Sequence, residues 1–431
     1  MKLFIQPAAF IFASLLATTS VHSQTLYNII DLGDLPGGSD LSAAWGINDS
    51  NQIAGWSFST DGQRPVLWDN GAIIDLGLLP NGLNRGTASS INNAGNIVGF
   101  SQTTTGTHAT LWYNGAIIDL GDLPGDTYSS ATGINNSLQI AGYSSSSLAT
   151  HAFLWENGAL TNLGDLPGGN IKSISSAINN KTQIVGFSET ATGLHAFLWQ
   201  NGVMTDLGEL PGGIDQSIAT DINDNSEVVG YSETTGMINA FIWKDNVMKA
   251  LPVLAGYTRS LAFGINNYGS VVGATTPPAT NNSQAFIYDT KNGIVNLNSL
   301  IDPADPLFGQ FTLAQANKIN NTGSIAGYGH NGTTQRAFLL VPIDYDEDGV
   351  KDVLDQCKNT KAGSVINANG CSIAQLVPCK GPYGTNMNWE NHGSYVDAVE
   401  KVTEVFLESR LILESDKDVY INNAKNSICG I

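Results

Sequence analysis

The step Ile-Asn recurs at Ile47, Ile91, Ile134, Ile178, Ile222, Ile265 and Ile319, at spacings of 44, 43, 44, 44, 43 and 54 residues. A period held through seven copies means that one supersecondary unit is written repeatedly, each copy leaning on its neighbours to bury its apolar faces. Four short runs recur within a period. In the third copy they are SSATGIN (129–135), QIAGYS (139–144), HAFLW (151–155) and GALTNLG (158–164). Asn135-Asn136-Ser137 separates the first two, and Glu156-Asn157-Gly158 the last two. Asn and Gly accept the left-handed backbone that tight hairpins demand. Each period therefore predicts an antiparallel meander of four strands. HAFLW sets Ala and Leu on one face and Phe and Trp on the other, so both faces need cover. A radial fan of small sheets supplies that cover, which points to a β-propeller. A β-solenoid has shorter coils, about 20–29 residues, and no antiparallel hairpins.

The ends of the array favour a ring. The inner three strands occur seven times, from SAAWGIN (42–48) to RAFLL (336–340), but the fourth follows only six of them. Its missing copy stands at the start of the chain, YNIIDLG (27–33). A strand from the N-terminus that completes the last blade would close the circle and hide its edges. The expectation is an all-β fold: a seven-bladed β-propeller over residues 25–342, with Tyr27–Gly33 beside Arg336–Leu340.

Repeats of the form HAFLW-x-NG, DLG-x-LPGG, S-x-A-x-x-IN and VVG-x-S resemble the HAF repeat family of probable extracellular proteins. The resemblance is strongest at LGDLPGG (163–169), HAFLW (195–199) and DLGELPGG (206–213). Later copies drift: VMKALPVLAG lacks DLG, and RAFLL lacks the Trp. The resemblance implies export and no particular reaction.

Export also follows from the first 23 residues. Lys2 supplies a positive start, Phe10 to Ala17 a short apolar core, and Val21-His22-Ser23 a cleavage site before Gln24. The apolar run is too short for a permanent anchor, and no later segment is apolar for about 18 residues, so no membrane span is expected. A formal charge of −19 repels phosphate backbones, which argues against nucleic acid as a partner. The expected partner is an extracellular ligand, glycan or protein.

On the propeller reading, the LPGG connections and the variable loops between second and third strands share one face, the expected binding surface. The Asn-rich hairpins lie on the other. His108, His151 and His195 occupy one repeat position, held elsewhere by Arg64, Asn239, Gln284 and Arg336. Metal ligands must converge within about 2 Å of one ion, and equivalent positions on different blades do not, so they read as polar strand-start residues. Asp34, Asp122, Asp165 and Glu209 precede LPGG turns and read as turn and solvation residues. Trp68, Trp112, Trp155 and Trp199 read as core. The recurring glycines (Gly55, Gly99, Gly142, Gly186, Gly230, Gly273 and Gly327) read as points of close approach between blades. No nucleophile elbow, phosphate loop or HExxH motif occurs, and no residue is assigned a catalytic role.

DYDEDGVKDVLDQC (344–357) places carboxylates at loop positions 1, 3, 5, 9 and 12 with Gly349 at 6, the spacing of a calcium-binding EF-hand loop. The four cysteines, Cys357, Cys371, Cys379 and Cys429, allow three pairings that the sequence alone does not separate. Local spacing favours Cys357–Cys371 and Cys379–Cys429. The stretch 344–371 resembles a single bacterial-type thrombospondin type 3 repeat, with Lys358 where proline normally follows the cysteine. That resemblance implies Ca2+ on Asp344, Asp346, Asp348, the Val350 carbonyl, Asp352 and Asp355, within a segment spanning 343–377, and a Cys357–Cys371 bridge.

Residues 378–431 predict a helical hairpin pinned by Cys379 and Cys429. Its first helix, 393–411, carries Val396, Val399, Val402 and Phe406 as an apolar stripe. Ser415 is the expected cap of the second, and Asn391-His392-Gly393 the turn before the first. The function expected is a secreted, calcium-binding, non-enzymatic adhesion, binding or scaffold protein. The alternative is an exported propeller glycosidase or lyase, which requires carboxylates of different blades to meet at the central channel.

Overall fold

A computed structural model describes residues 26–277, 282–344, 346–350, 355–357, 359–361, 363–385 and 387–430. The expected leader, 1–23, lies outside them. The protein is mostly β. In the third repeat the strands are Tyr128–Ile134, Ile140–Ser145, Thr150–Glu156 and Ala159–Asn162, each antiparallel to the next. These lie within two residues of the runs read from the sequence. Asn70, Asn114, Asn157 and Asn201 have φ of 48, 50, 51 and 52°, and the glycine after each is also left-handed, as a two-residue hairpin turn requires. Where PGG or PNG opens a repeat, the first strand starts at the turn glycine, as at Gly37, Gly82, Gly168 and Gly213.

Every first strand carries a bulge just before its Ile-Asn step, for example between Ala44 and Gly46 or between Ala131 and Gly133. The bulge accounts for the recurring glycines and corrects the sequence reading. A Cβ on Gly99 would lie 1.9 Å from Thr87 O, and on Gly186 or Gly327 2.0 Å from Ile174 O or Gln315 O. Those carbonyls belong to the paired strand of the same unit, turned inward by the bulge. Close approach between units falls elsewhere: a Cβ on Gly46 would sit 3.0 Å from Ser90 Cα.

Tyr27–Asp31 pairs antiparallel with Thr334–Pro342, in the register Tyr27↔Pro342, Ile29↔Leu340 and Asp31↔Phe338. Packing repeats the connection: Ala44, Ile53, Val66 and Trp68 share one apolar cluster with Ala326, Ala337 and Leu339. Phe153, Phe197, Phe241, Phe286 and Phe338, one per unit, have no exposed surface. Each contributes about 1.5–3 kcal/mol by burial. Trp68, Trp112 and Trp199 are buried as expected, and Trp155 partly so.

The long 54-residue interval has a use. Its extra residues form the 3-10 turn Leu297–Leu300 and a loop that covers the outer edge of Tyr27–Asp31. Asp302 N donates to Tyr27 O at 3.0 Å, and Ile29 N donates to Asp305 Oδ2 at 2.9 Å. Backbone groups that an edge strand would leave open are thereby satisfied.

Beyond 342 the structure is small and helical, with helices Ile373–Leu376, His392–Glu408 and Glu414–Lys425. Disulfides join Cys357 to Cys371 and Cys379 to Cys429. The last helix starts two residues earlier than expected: Leu413 is its N-cap, and Asp416 Oδ2 accepts from Leu413 N, so Ser415 does not cap it. Asn391 caps the long helix, and His392 Nδ1 lies 2.7 Å from Cys429 O, a structural role. Ile373 packs with Phe406 and Ile412, and Val377 with Val399 and Ala424. Ile373 and Val377, from the segment read as 343–377, thus pack against the helical tail. Among the described residues no helix is long and apolar enough to cross a membrane.

Candidate functional site

The first strands converge at their Ile-Asn ends. Asn48, Asn92, Asn135, Asn179, Asn223, Asn266 and Asn320 are buried. Each donates its side-chain amide to the backbone carbonyl of the next, at 2.9–3.1 Å, and Asn320 donates to Asn48. Each Oδ1 turns back to its own loop, as Asn179 does in accepting from Lys181 N and Gln183 N. A second circuit runs through the following residue. Asp49 N donates to Asn93 Oδ1, and the pattern continues through Asn136, Asn180, Asp224 and Asn267 to Asn321, whose N–H returns to Asp49 Oδ1 at 2.9 Å. Ile-Asn is the repeated word because its side chain both caps a turn and grips the neighbouring unit.

The isoleucines of all seven Ile-Asn steps line a cavity of about 180 Å³. A second cavity, about 260 Å³, lies earlier along the same strands, toward their LPGG ends, and is lined by Trp45, Thr132, Thr220, Phe263, Asn317 and Lys318 among others. Lys318 borders both, and its Nζ lies 2.6 Å from Asp221 Oδ1. Asp221 Oδ2 also accepts from Ile265 N at 3.0 Å. The carboxylates facing these cavities are thus engaged. Asp49 accepts from Asn93 and Asn321. Burial pushes Asp224 up, but hydrogen bonds from the Asn180 side chain and backbone and from Asn267 hold it below the usual carboxylate range. Burial likewise opposes a lowered Glu227, which Lys244 and Asn223 outweigh.

Sequence reading missed Trp45, Phe263, Asp221 and Lys318. The signal was available. Trp45 and Phe263 sit at the bulge position, two before each Asn-preceding Ile, where the repeats otherwise carry Ser89, Thr132, Ser176, Thr220 and Asn317. A variable residue beside constant ones in an internal repeat marks a side chain freed from packing.

The repeated histidines and acids meet within their own units. His108 Nδ1 lies 2.8 Å from Asp119 Oδ2, His151 Nδ1 3.4 Å from Asp165, and Arg336 pairs with Asp34. The three histidines do not converge on one another. His195 differs: its Nδ1 lies 2.9 Å from Asp206 Oδ2, and it clusters with Glu209 and Asp215, one ligand atom of each within 4.8 Å of the others.

In the acidic loop, Asp344, Asp346 and Asp348 each offer one oxygen within 4.8 Å of the others. Each spends its second oxygen on the backbone: Asp344 Oδ2 accepts from Gly349 N, Asp346 Oδ2 from Thr360 N and Asp348 Oδ1 from Val350 N. Asp344 Oδ1, Asp346 Oδ1 and Asp348 Oδ2 are solvent-inaccessible and accept no hydrogen bond among the described residues. Gly349 has φ 95°, the sharp turn expected at loop position 6. Asp355 is buried, with Oδ1 accepting from Cys357 N. A Cβ on Gly370 would lie 2.1 Å from that oxygen and 3.2 Å from Asp348 Oδ2, so glycine leaves room for both carboxylates. Buried, unpartnered carboxylate oxygens facing one point fit a hard cation. Asp352 lies outside the described residues.

Residues 191–382 match the family described as protein of unknown function (DUF3466). No curated protein matches the chain. Among solved structures, the chain is similar to TolB from Acinetobacter baumannii (12% identity, TM-score 0.39, 59% of this chain), of which it spans 63%, under two thirds. It is similar to the β-propeller domain of the Trilobed protease from Pyrococcus furiosus (13%, 0.42, covering 61% of this chain and 82% of that one). It is also similar to oligogalacturonate lyase from Vibrio parahaemolyticus (10%, 0.48, 74% and 96%).

Proposed function

We propose that this chain is an exported, non-enzymatic binding protein: a seven-bladed β-propeller closed by its N-terminal strand, joined through a calcium loop to a disulfide-pinned helical tail. The resemblance to HAF and thrombospondin type 3 repeats supports export and calcium. The observation that carries the binding reading is the character of the axial cavities. Trp45 and Phe263 offer apolar faces among Ser, Thr and Asn hydroxyls and amides, a wall suited to an amphipathic ligand such as a glycan. Among the described residues the carboxylates reaching the axis are ion-paired or accept hydrogen bonds, which supports a binding role over acid–base chemistry.

Calcium is proposed on Asp344, Asp346, Asp348, Val350, Asp352 and Asp355. It would neutralise the loop and stiffen the junction. The test is a glycan array probed with calcium-loaded full-length protein, then repeated after EDTA and with Trp45→Ala. Binding lost in Trp45→Ala supports the reading. Cleavage of any sugar polymer, abolished by Asp221→Asn, would falsify it. Calcium itself is checked by calorimetry: heat at millimolar or lower calcium, lost in Asp346→Asn, is expected, and no heat contradicts the metal assignment.

A further inference from the structure

The unit containing His195 departs from its siblings at one further position. Five of the third strands make a single parallel bridge to the next unit's first strand, as Leu194 does with Gln216 and Thr107 with Tyr128. The residue just before the bridged one is Asn84, Thr127, Ile171 or Thr258 in other units, but Asp215 here. Asp215 joins Asp206 and Glu209 around one imidazole. In the closing unit the corresponding acid, Asp34, meets the fixed cation of Arg336. Among the described residues Glu209 and Asp215 form no ion pair with a Lys or Arg; Glu209 Oε2 accepts only a long hydrogen bond, 3.3 Å, from Gln216 N.

Asp206 takes Nδ1 of His195, as Asp119 takes Nδ1 of His108, whose Nε2 lies 4.0 Å from Asp122; the third carboxylate is what sets His195 apart. His195 Nε2 is solvent-inaccessible and has no hydrogen-bond partner among the described residues, in a side chain only 15% exposed. One glycine makes space for an acid: a Cβ on Gly213 would lie 2.2 Å from Glu209 Oε2. A ring nitrogen fixed by a carboxylate on its far side, with two more carboxylates within reach, is the arrangement that orients and strengthens an imidazole ligand.

We propose that His195 Nε2, Glu209 and Asp215 bind a divalent first-row transition ion, with Asp206 as the positioning residue. Imidazole with two carboxylates suits Zn2+ or Mn2+. Tetrahedral bonds of about 2.0–2.2 Å bring ligand atoms to roughly 3.4 Å apart. The exposed Asp215 side chain closes the remaining gap. Three protein ligands leave a coordination position open on the face that carries the LPGG turns and variable loops, so a bound ion can take a donor atom from a ligand docked there. The site is independent of the acidic loop and of the proposed ligand in the axial cavity.

Zn2+ is titrated calorimetrically into tag-free, full-length protein already saturated with Ca2+, which occupies the acidic loop. One zinc per chain is expected. His195→Ala should weaken it at least a hundredfold, Asp206→Asn about 10–100-fold, and His151→Ala should leave it unchanged. Gly213→Ala keeps every ligand but displaces the Glu209 carboxylate, and should weaken zinc at least tenfold while the melting temperature of the metal-free protein holds. Absence of zinc binding, or equal binding by His195→Ala and His151→Ala, overturns the proposal. Zinc lost in Asp346→Asn but kept in His195→Ala assigns the ion to the acidic loop and overturns it equally.

Discussion

Residues 27–342 and the tail beyond them solve the same problem by opposite means. The first region has no disulfide. Its units bury phenylalanine and tryptophan between sheets, and two hydrogen-bond circuits pass through every unit and return to their start. Among its described residues the tail has three helices, two disulfides and a cluster of carboxylates. A repeated unit gains a neighbour on each side and can dispense with cross-links. A short segment with few buried side chains cannot, and depends on staples.

Deleting residues 26–33 should break the comparison most severely. It removes the strand that covers Thr334–Pro342, exposes the Phe338 cluster and leaves the Asp302–Asp305 loop without its partner. The loss should exceed a domain's ordinary margin of about 5–15 kcal/mol. The expected outcome is a chain without cooperative thermal unfolding, or an insoluble one. Replacing Cys379 and Cys429 together by Ala should act on the tail alone. A loop of this size loses about 4 kcal/mol on the chain-entropy estimate. Hydrogen exchange should then show His392–Glu408 and Glu414–Lys425 unprotected while the strands from Tyr27 to Pro342 keep their protection.

A smaller effect sharpens the account of the circuits. Asn179→Ala removes the donor to Asn223 O and the acceptor for Lys181 N and Gln183 N. It should cost about 2–3 kcal/mol, read by denaturant unfolding of the strand-rich region, with the tail's exchange unchanged. The smallest effect is electrostatic. Asp224 and Glu227 have folded pKa values below their unfolded ones, so their contribution is present above about pH 4 and is lost as pH falls through the folded values. Asp224→Asn should flatten the acid limb of the stability–pH curve slightly, because the group is partly exposed and solvent screens it.

Much of the strand architecture was legible because its causes are local. Asn-Gly pairs set turns, alternating apolar runs set strands, and the copy of DLG displaced to the N-terminus predicted the pairing of Tyr27–Asp31 with the last repeat. The glycine reading failed for a reason equally local: the bulge that turns Thr87 O toward Gly99 leaves no trace in composition. Lys318 and Asp221 were hidden because they meet across the axis between units 97 residues apart, a distance no motif spans. The loop aspartates were visible by spacing, whereas Gly370, which leaves them room, belongs to the far side of a disulfide. The cluster around His195 was not legible from the repeat position it shares with His108 and His151, since only its own unit supplies Asp215.

Circular closure is the claim on which the binding face and both cavities rest. Asn28 and Val341 are direct partners across the closing pair. In full-length protein carrying Asn28→Cys and Val341→Cys, mild oxidation followed by peptide mass spectrometry should find the two cysteines joined within one chain, with Cys357–Cys371 and Cys379–Cys429 intact and the melting temperature undiminished. Failure to join, or joining only between chains, would contradict closure.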